Sequence, residues 1–189
     1  MAGHALRRVM SSAARASSAA AAPLIARTLS ADGVAHLALA SPPVNTLSRE
    51  LLRQLRKHLD DAATDTTVRG VILSSKCRAF SAGLDITEFV RPTRDRFTEY
   101  LGDVSGLFRA LYLHPKPVVA AIVGAAPAGG CWMALQCDYR VLLDAPGVVM
   151  GLNETQLGER CPRSGDTRPR TLRTPCSIPR VLAGIFAPQ

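Results

Sequence analysis

The sequence predicts an α/β fold, and three observations carry that prediction. Short apolar runs recur at 34–40, 69–75, 117–124 and 138–145. Between them lie longer stretches whose leucines and aromatics repeat at helical spacing. Proline and glycine cluster at the junctions, so each run is cut off before it changes period. Strands that alternate with helices in this way build a sheet with helices packed against it.

The first strand is "VAHLALA", Val34 to Ala40, and Pro42 and Pro43 break the chain after it. A helix is predicted from about Ser48: Leu51, Leu52, Leu55 and Leu59 share one face, with Arg53, Arg56 and Lys57 outside. "RGVILSS", Arg69 to Ser75, reads as a strand buried on both faces, because its apolar run is continuous. The loop "KCRAFSAGLD" follows it. A second helix spans about Asp95 to Leu113, where Phe97, Tyr100, Leu101, Val104, Leu107, Phe108 and Leu111 recur as core positions. Pro115 and Pro117 forbid its continuation, and "PVVAAIVG" restarts the chain as a strand. "GGCWMALQC" is a short helix that opens on glycines, "DYRVLLDA" is another strand, and "GVVMGLNE" leads into "GLNETQLG".

The formal charge of +8 does not describe a nucleic-acid module. Residues 1–30 hold Arg7, Arg8, Arg15 and Arg27 without an acid, and residues 159–189 hold six arginines against Glu159 and Asp166. The stretch between them is neutral, so no basic stripe crosses the body of the chain. Five irregularly spaced cysteines make neither a disulfide framework nor a zinc motif. Cys131 and Cys137 sit in apolar sequence and are expected to be buried. No apolar run is long and clean enough to span a bilayer. Residues 1–30, rich in Ala, Ser and Arg, have the composition of a mitochondrial transit peptide. Residues 31–158 form the expected domain, and residues 159–189 an Arg/Pro-rich tail with the composition of disorder.

Three segments hold chemical promise. "FSAGLD" follows a strand, and Gly83 permits a turn that aims the N–H of Leu84 into a pocket. "PAGG", residues 127–130, follows another strand and opens a helix, whose first N–H groups lack partners. Two such N–H groups aimed at one point form an oxyanion hole. In "GLNETQLG" the one carboxylate, Glu154, stands among Leu, Asn, Thr and Gln, where a lone acid either faces water or does chemistry; burial there would raise its pKa toward the working range of a general base.

In order, "PPVNTLS", "RGVILSS", "FSAGLD", "PAGGC", "CDYR" and "GLNETQLG" resemble the crotonase (enoyl-CoA hydratase/isomerase) superfamily, over about residues 33–158. The resemblance implies a spiral of ββα units, incomplete here at the C-terminus, in a family usually assembled as trimers. It implies an isomerase of fatty-acid β-oxidation in the mitochondrial matrix, which moves a 3-ene of an acyl-CoA to the conjugated 2-trans position. By carry-over, Glu154 is the catalytic carboxylate, and the N–H groups of Leu84 and Gly129 hold the thioester oxygen. Ser81, Ala82, Gly83 and Asp85 line the CoA and acyl path, with Asn153 beside the acyl chain.

No metal or other cofactor is implied, since CoA belongs to the substrate; nucleic acid and stable membrane insertion are not expected. Hydratases of the superfamily use a second carboxylate just after "GGC", where this chain has Trp132, so hydration should be poor. Core filling is the plain reading of that tryptophan. A serine-peptidase reading fails, because Ser81 lacks a nucleophile elbow and His4, His36, His58 and His114 lack triad context. The change of character near Gly158 leaves a second reading: a catalytically impaired, truncated isoform that at most binds acyl-CoA or joins family trimers.

Overall fold

The computed structural model of the chain describes residues 23–153. In order these form β1 (Ile25–Leu29), β2 (Val34–Leu39), β3 (Thr46–Leu47), α1 (Arg49–Thr64), β4 (Gly70–Ser75) and β5 (Gly83–Leu84). A 3-10 turn (Ile86–Phe89), α2 (Arg94–Tyr112), β6 (Val118–Ile122), β7 (Ala126–Pro127), α3 (Gly129–Leu135), β8 (Tyr139–Leu142) and β9 (Met150–Gly151) complete the set.

Five strands make the main sheet, in the order β1-β2-β4-β6-β8. β1 runs antiparallel to β2, and the other pairings are parallel. The predicted first strand is thus the second. Ile25 to Leu29, grouped by composition with the leader, belong to the sheet, and Arg27 reaches Asp65 at 3.3 Å.

α1 forms where the leucine spacing places it. Ser48 caps it, accepting the N–H of Leu51 at 3.3 Å, and Leu51, Leu52, Leu55 and Leu59 are buried. Its other end is held from outside the helix: Lys116 Nζ donates to the carbonyls of Ala62 and Asp65, both at 2.6 Å. These are the last-turn acceptors that a helix leaves open, and a cation there also suits the helix dipole.

α2 buries Tyr100, Val104, Leu107 and Leu111, while Phe97 and Phe108 are half-buried and Leu101 is exposed. The expected face is therefore narrower than the run of aromatics implied. β4 also departs from expectation: Val71 and Leu73 are buried, but Ile72 on the opposite face is only half-buried. That face continues across the sheet through Val119 and Tyr139, and Tyr139 is exposed.

The "CDYR" segment is a clasp. Asp138 accepts the N–H of Val118 at 2.8 Å and pins the start of β6. Arg140 donates to the carbonyl of Cys137 at 2.6 Å, closing the end of α3. Cys131 and Cys137 are buried, as expected, and burial pushes the Cys137 thiol up to about 12.

Candidate functional site

The short strands build the site. β3 pairs with β5, aligning Thr46 with Gly83 and Leu47 with Leu84. β7 pairs with β9, aligning Ala126 with Met150 and Pro127 with Gly151. A single bridge between Ala79 and Ala125 joins the two loops that lead into them. Segments from four parts of the chain thus converge beyond the ends of the main sheet.

A buried asparagine organises the first loop. Asn45 is fully buried, at φ +52°. Its Nδ2 donates to Ser75 Oγ at 2.7 Å, to the Phe80 carbonyl at 3.0 Å and to the Ala79 carbonyl at 3.2 Å. Its Oδ1 accepts the N–H of Ser41 at 2.8 Å. Ser81, also fully buried, donates to the Asn45 carbonyl at 2.8 Å and accepts the N–H of Gly83 at 3.2 Å. Asn45→Ala strips partners from several buried groups at once. It should cost about 2–3 kcal/mol, read as a lower urea midpoint at unchanged slope.

The network ends on Gly83, at φ +95°, a conformation that side-chain-bearing residues rarely adopt. Here the two glycine turns touch. A methyl group on Gly83 would lie 3.0 Å from the Gly129 nitrogen, and one on Gly129 would lie 3.0 Å from the Leu84 nitrogen. The backbones of 83–84 and 129 are in van der Waals contact with no room for a side chain between them. Gly130 is equally constrained, since a methyl there would run into the Ser81 carbonyl.

Ala128, just before Gly129, sits at φ +46°, ψ −122°. An alanine held in so sparsely populated a region costs about 1–3 kcal/mol, and its surroundings must enforce it. They do so through β9: the Ala128 N–H donates to the Gly151 carbonyl at 3.0 Å, and the Ala128 carbonyl accepts the N–H of Trp132 at 2.9 Å. The turn thereby leaves Gly129 at the first position of α3, where an N–H has no carbonyl within the helix to bond.

The remaining predicted residues divide. Asp85 caps the 3-10 turn, accepting the N–H and hydroxyl of Thr87 at 2.9 and 2.7 Å. Ala82 is exposed, and its N–H donates to the Val44 carbonyl at 2.9 Å. The Ser81 hydroxyl is taken up inside the loop. Asn153 is two residues past Gly151, and its Oδ1 is buried with no hydrogen-bond partner among the described residues. Glu154 lies outside the described residues. Trp132 is 46% exposed, so the core-filling reading fails. Its place in the first turn of α3 points the indole away from the packed interior.

A groove of about 340 Å³ between α1 and α2 is a different feature. Its charges are matched: Arg53 with Asp103 at 3.0 Å, Arg56 with Asp60 at 2.9 Å and Lys57 with Asp61 at 2.7 Å. It shares no residue with the glycine turns and is a solvated helix surface.

Comparison with known proteins identifies the class to which these parallel strands and touching glycine turns belong. Residues 30–171 match the family model described as enoyl-CoA hydratase/isomerase, and the chain belongs to that family. The match runs past Gly158, where the resemblance was expected to stop. Over 127 residues the chain is 46% identical to mitochondrial enoyl-CoA delta isomerase 1 of Mus musculus, covering 67% of this chain and 44% of that protein. It is 38% identical over 126 residues to a probable enoyl-CoA hydratase of Bacillus subtilis, covering 66% and 48%. Among solved structures it resembles human mitochondrial delta3-delta2-enoyl-CoA isomerase, with TM-score 0.71 and 44% identity over 74% of this chain and 55% of that one. The chain thus spans about half the length of the relatives it matches.

Proposed function

We propose that the chain carries an enoyl-CoA isomerase site, in which the N–H groups of Leu84 and Gly129 hold a thioester oxygen and Glu154 moves the proton. The observation that supports this best is the contact between the two glycine turns: a methyl on Gly83 would lie 3.0 Å from the Gly129 nitrogen, and one on Gly129 would lie 3.0 Å from the Leu84 nitrogen, so the two turns are near neighbours. Taking a proton from C2 of a 3-enoyl thioester leaves an enolate, with its charge on the thioester oxygen. Two fixed donors stabilise that charge as it develops, each by about 2.7–4 kcal/mol. The same carboxyl returns the proton at C4, so the double bond moves to the 2-position and no atom is gained or lost. Glu154 follows Asn153 directly in sequence, and the chain reaches Asn153 from the Gly151 carbonyl that holds the Ala128 turn. One carboxylate suffices for this shuttle, whereas hydration needs a second group to activate water. Trp132 provides no such group.

The full chain mixed with 3-hexenoyl-CoA should show rising absorbance of the conjugated thioester. With 2-enoyl-CoA, hydration should be slower by at least about 100-fold, the usual worth of a positioned general base. No conjugation above the uncatalysed rate would overturn the reading.

A second reading is favoured by the apolar side chains exposed in and just after β8 and on either side of β9: Tyr139, Val141, Leu143, Val149 and Leu152. In that reading the chain binds acyl-CoA, or joins trimers of its relatives, without turnover. Retained acyl-CoA binding without conjugation would select it. The mitochondrial matrix is the compartment we assign, from the basic, acid-free leader and the names of the relatives.

A further inference from the structure

We infer that Tyr100 is a positioning residue for the oxyanion hole, acting through its hydroxyl on the backbone that carries the Leu84 N–H. The inference rests on the isomerase reading above. Tyr100 is fully buried in α2. Its hydroxyl donates to the Leu47 carbonyl at 2.9 Å and accepts the N–H of Asp85 at 2.9 Å. Leu47 and Leu84 are register partners in the β3–β5 pair, and Asp85 is the next residue after Leu84. One hydroxyl therefore bridges the two backbones at the point where this two-residue ladder ends.

A ladder so short cannot hold its own orientation, because two residues offer few backbone bonds. On one side of Leu84, the Asn45 and Ser81 network fixes residues 79–83. On the other side, the described structure supplies the Tyr100 hydroxyl as the anchor, and the 3-10 turn begins immediately after it. Phe89 from that turn packs edge-on against the Tyr100 ring, with centroids 5.7 Å apart and planes at 89°. The ring is thereby held from the far end of the same segment. Burial also pushes the phenol up to about 12, so the hydroxyl stays protonated and can donate to Leu47 throughout the physiological range.

A phenylalanine at this position fills the same space and leaves Leu47 and Asp85 without their bridge. The Leu84–Asp85 peptide unit, next to the one that bears the Leu84 N–H, then loses its anchor, and Leu84 can shift with it. A displacement of about 1 Å in such a group costs roughly 100-fold in rate. The loss falls on the charge that develops in the transition state, so it appears in kcat more than in KM.

The test is the carbonyl stretch of bound hexanoyl-CoA labelled with carbon-13 at C1, read by difference infrared spectroscopy on the full chain. The band of the bound ligand reports hydrogen bonding to the thioester oxygen and does not depend on the fraction of protein folded. The wild type should shift the band to lower frequency, and Tyr100→Phe should lose half or more of that shift. With 3-hexenoyl-CoA, kcat should fall by about 10- to 100-fold while KM moves by less than about 3-fold. An unchanged band and an unchanged kcat in Tyr100→Phe overturn the role of Tyr100 and leave the oxyanion hole standing. Absence of any shift in the wild type overturns the oxyanion hole itself. If Tyr100→Phe does not fold, amide exchange in the wild type decides: slow exchange at Asp85 supports the bridge, and exchange as fast as at an exposed loop amide overturns it.

Discussion

Glu154→Gln should abolish conjugation of 3-enoyl-CoA, lowering kcat by about 10²- to 10⁴-fold, the range a positioned acid or base supplies. Glutamine keeps the shape and one hydrogen-bonding oxygen but cannot accept the C2 proton. Binding of a saturated acyl-CoA should therefore change little, because in the proposed site the thioester oxygen is held by main-chain N–H groups that the substitution does not touch. The same variant should retain the wild-type carbonyl band shift. Loss of turnover with retained binding and retained polarisation identifies Glu154 as the proton carrier. Wild-type turnover in Glu154→Gln would remove it from the mechanism.

Gly129→Ala is expected to have the next largest effect, and on the other half of the site. The added methyl would stand 3.0 Å from the Leu84 nitrogen and 3.2 Å from both Gly83 Cα and Leu84 Cγ. Two of those atoms are backbone, so the contact is relieved by moving the turns apart or by leaving the methyl where the proposed site would hold the thioester oxygen. Either outcome removes a donor, and kcat should fall by about 10²- to 10³-fold. Gly102→Ala is the matched control. A methyl there meets no atom within 4 Å, and Gly102 lies inside α2. Activity should be unchanged and stability should rise by about 0.8–1 kcal/mol, the difference between glycine and alanine within a helix. Equal loss of activity in both variants would show that the Gly129 effect is general rather than local.

Much of the scaffold was legible because its signals are local. The leucines of α1 repeat every three or four residues, Ser48 is a capping residue in the right place, and Pro115 and Pro117 end α2 where they must. The glycine turns were also legible as turns. That they meet follows from the family resemblance and from no local signal, since Gly83 and Gly129 are far apart in sequence and come together through two-residue strands too short to show any period.

β1 escaped notice because it is an edge strand, with Arg27, Thr28 and Leu29 all exposed, so its residues do not alternate. Trp132 looked like core because tryptophan is large and apolar, yet position on α3 decides its exposure, and composition carries no such information. Ser81 and Tyr100 show the same limit from the other side. A buried serine and a helix aromatic read as ordinary packing until the carbonyls of Asn45 and Leu47 are found opposite their hydroxyls. Glu154 was singled out by sequence and family resemblance, and it lies outside the described residues.

The most direct test is a crystal structure of the full chain with a bound, unreactive acyl-CoA. The account predicts that the thioester oxygen lies about 2.7–3.1 Å from the nitrogens of both Leu84 and Gly129, with the Glu154 carboxyl over the C2–C4 stretch of the acyl chain. A thioester oxygen held by other groups, or a Glu154 carboxyl turned away from the acyl chain, would contradict it.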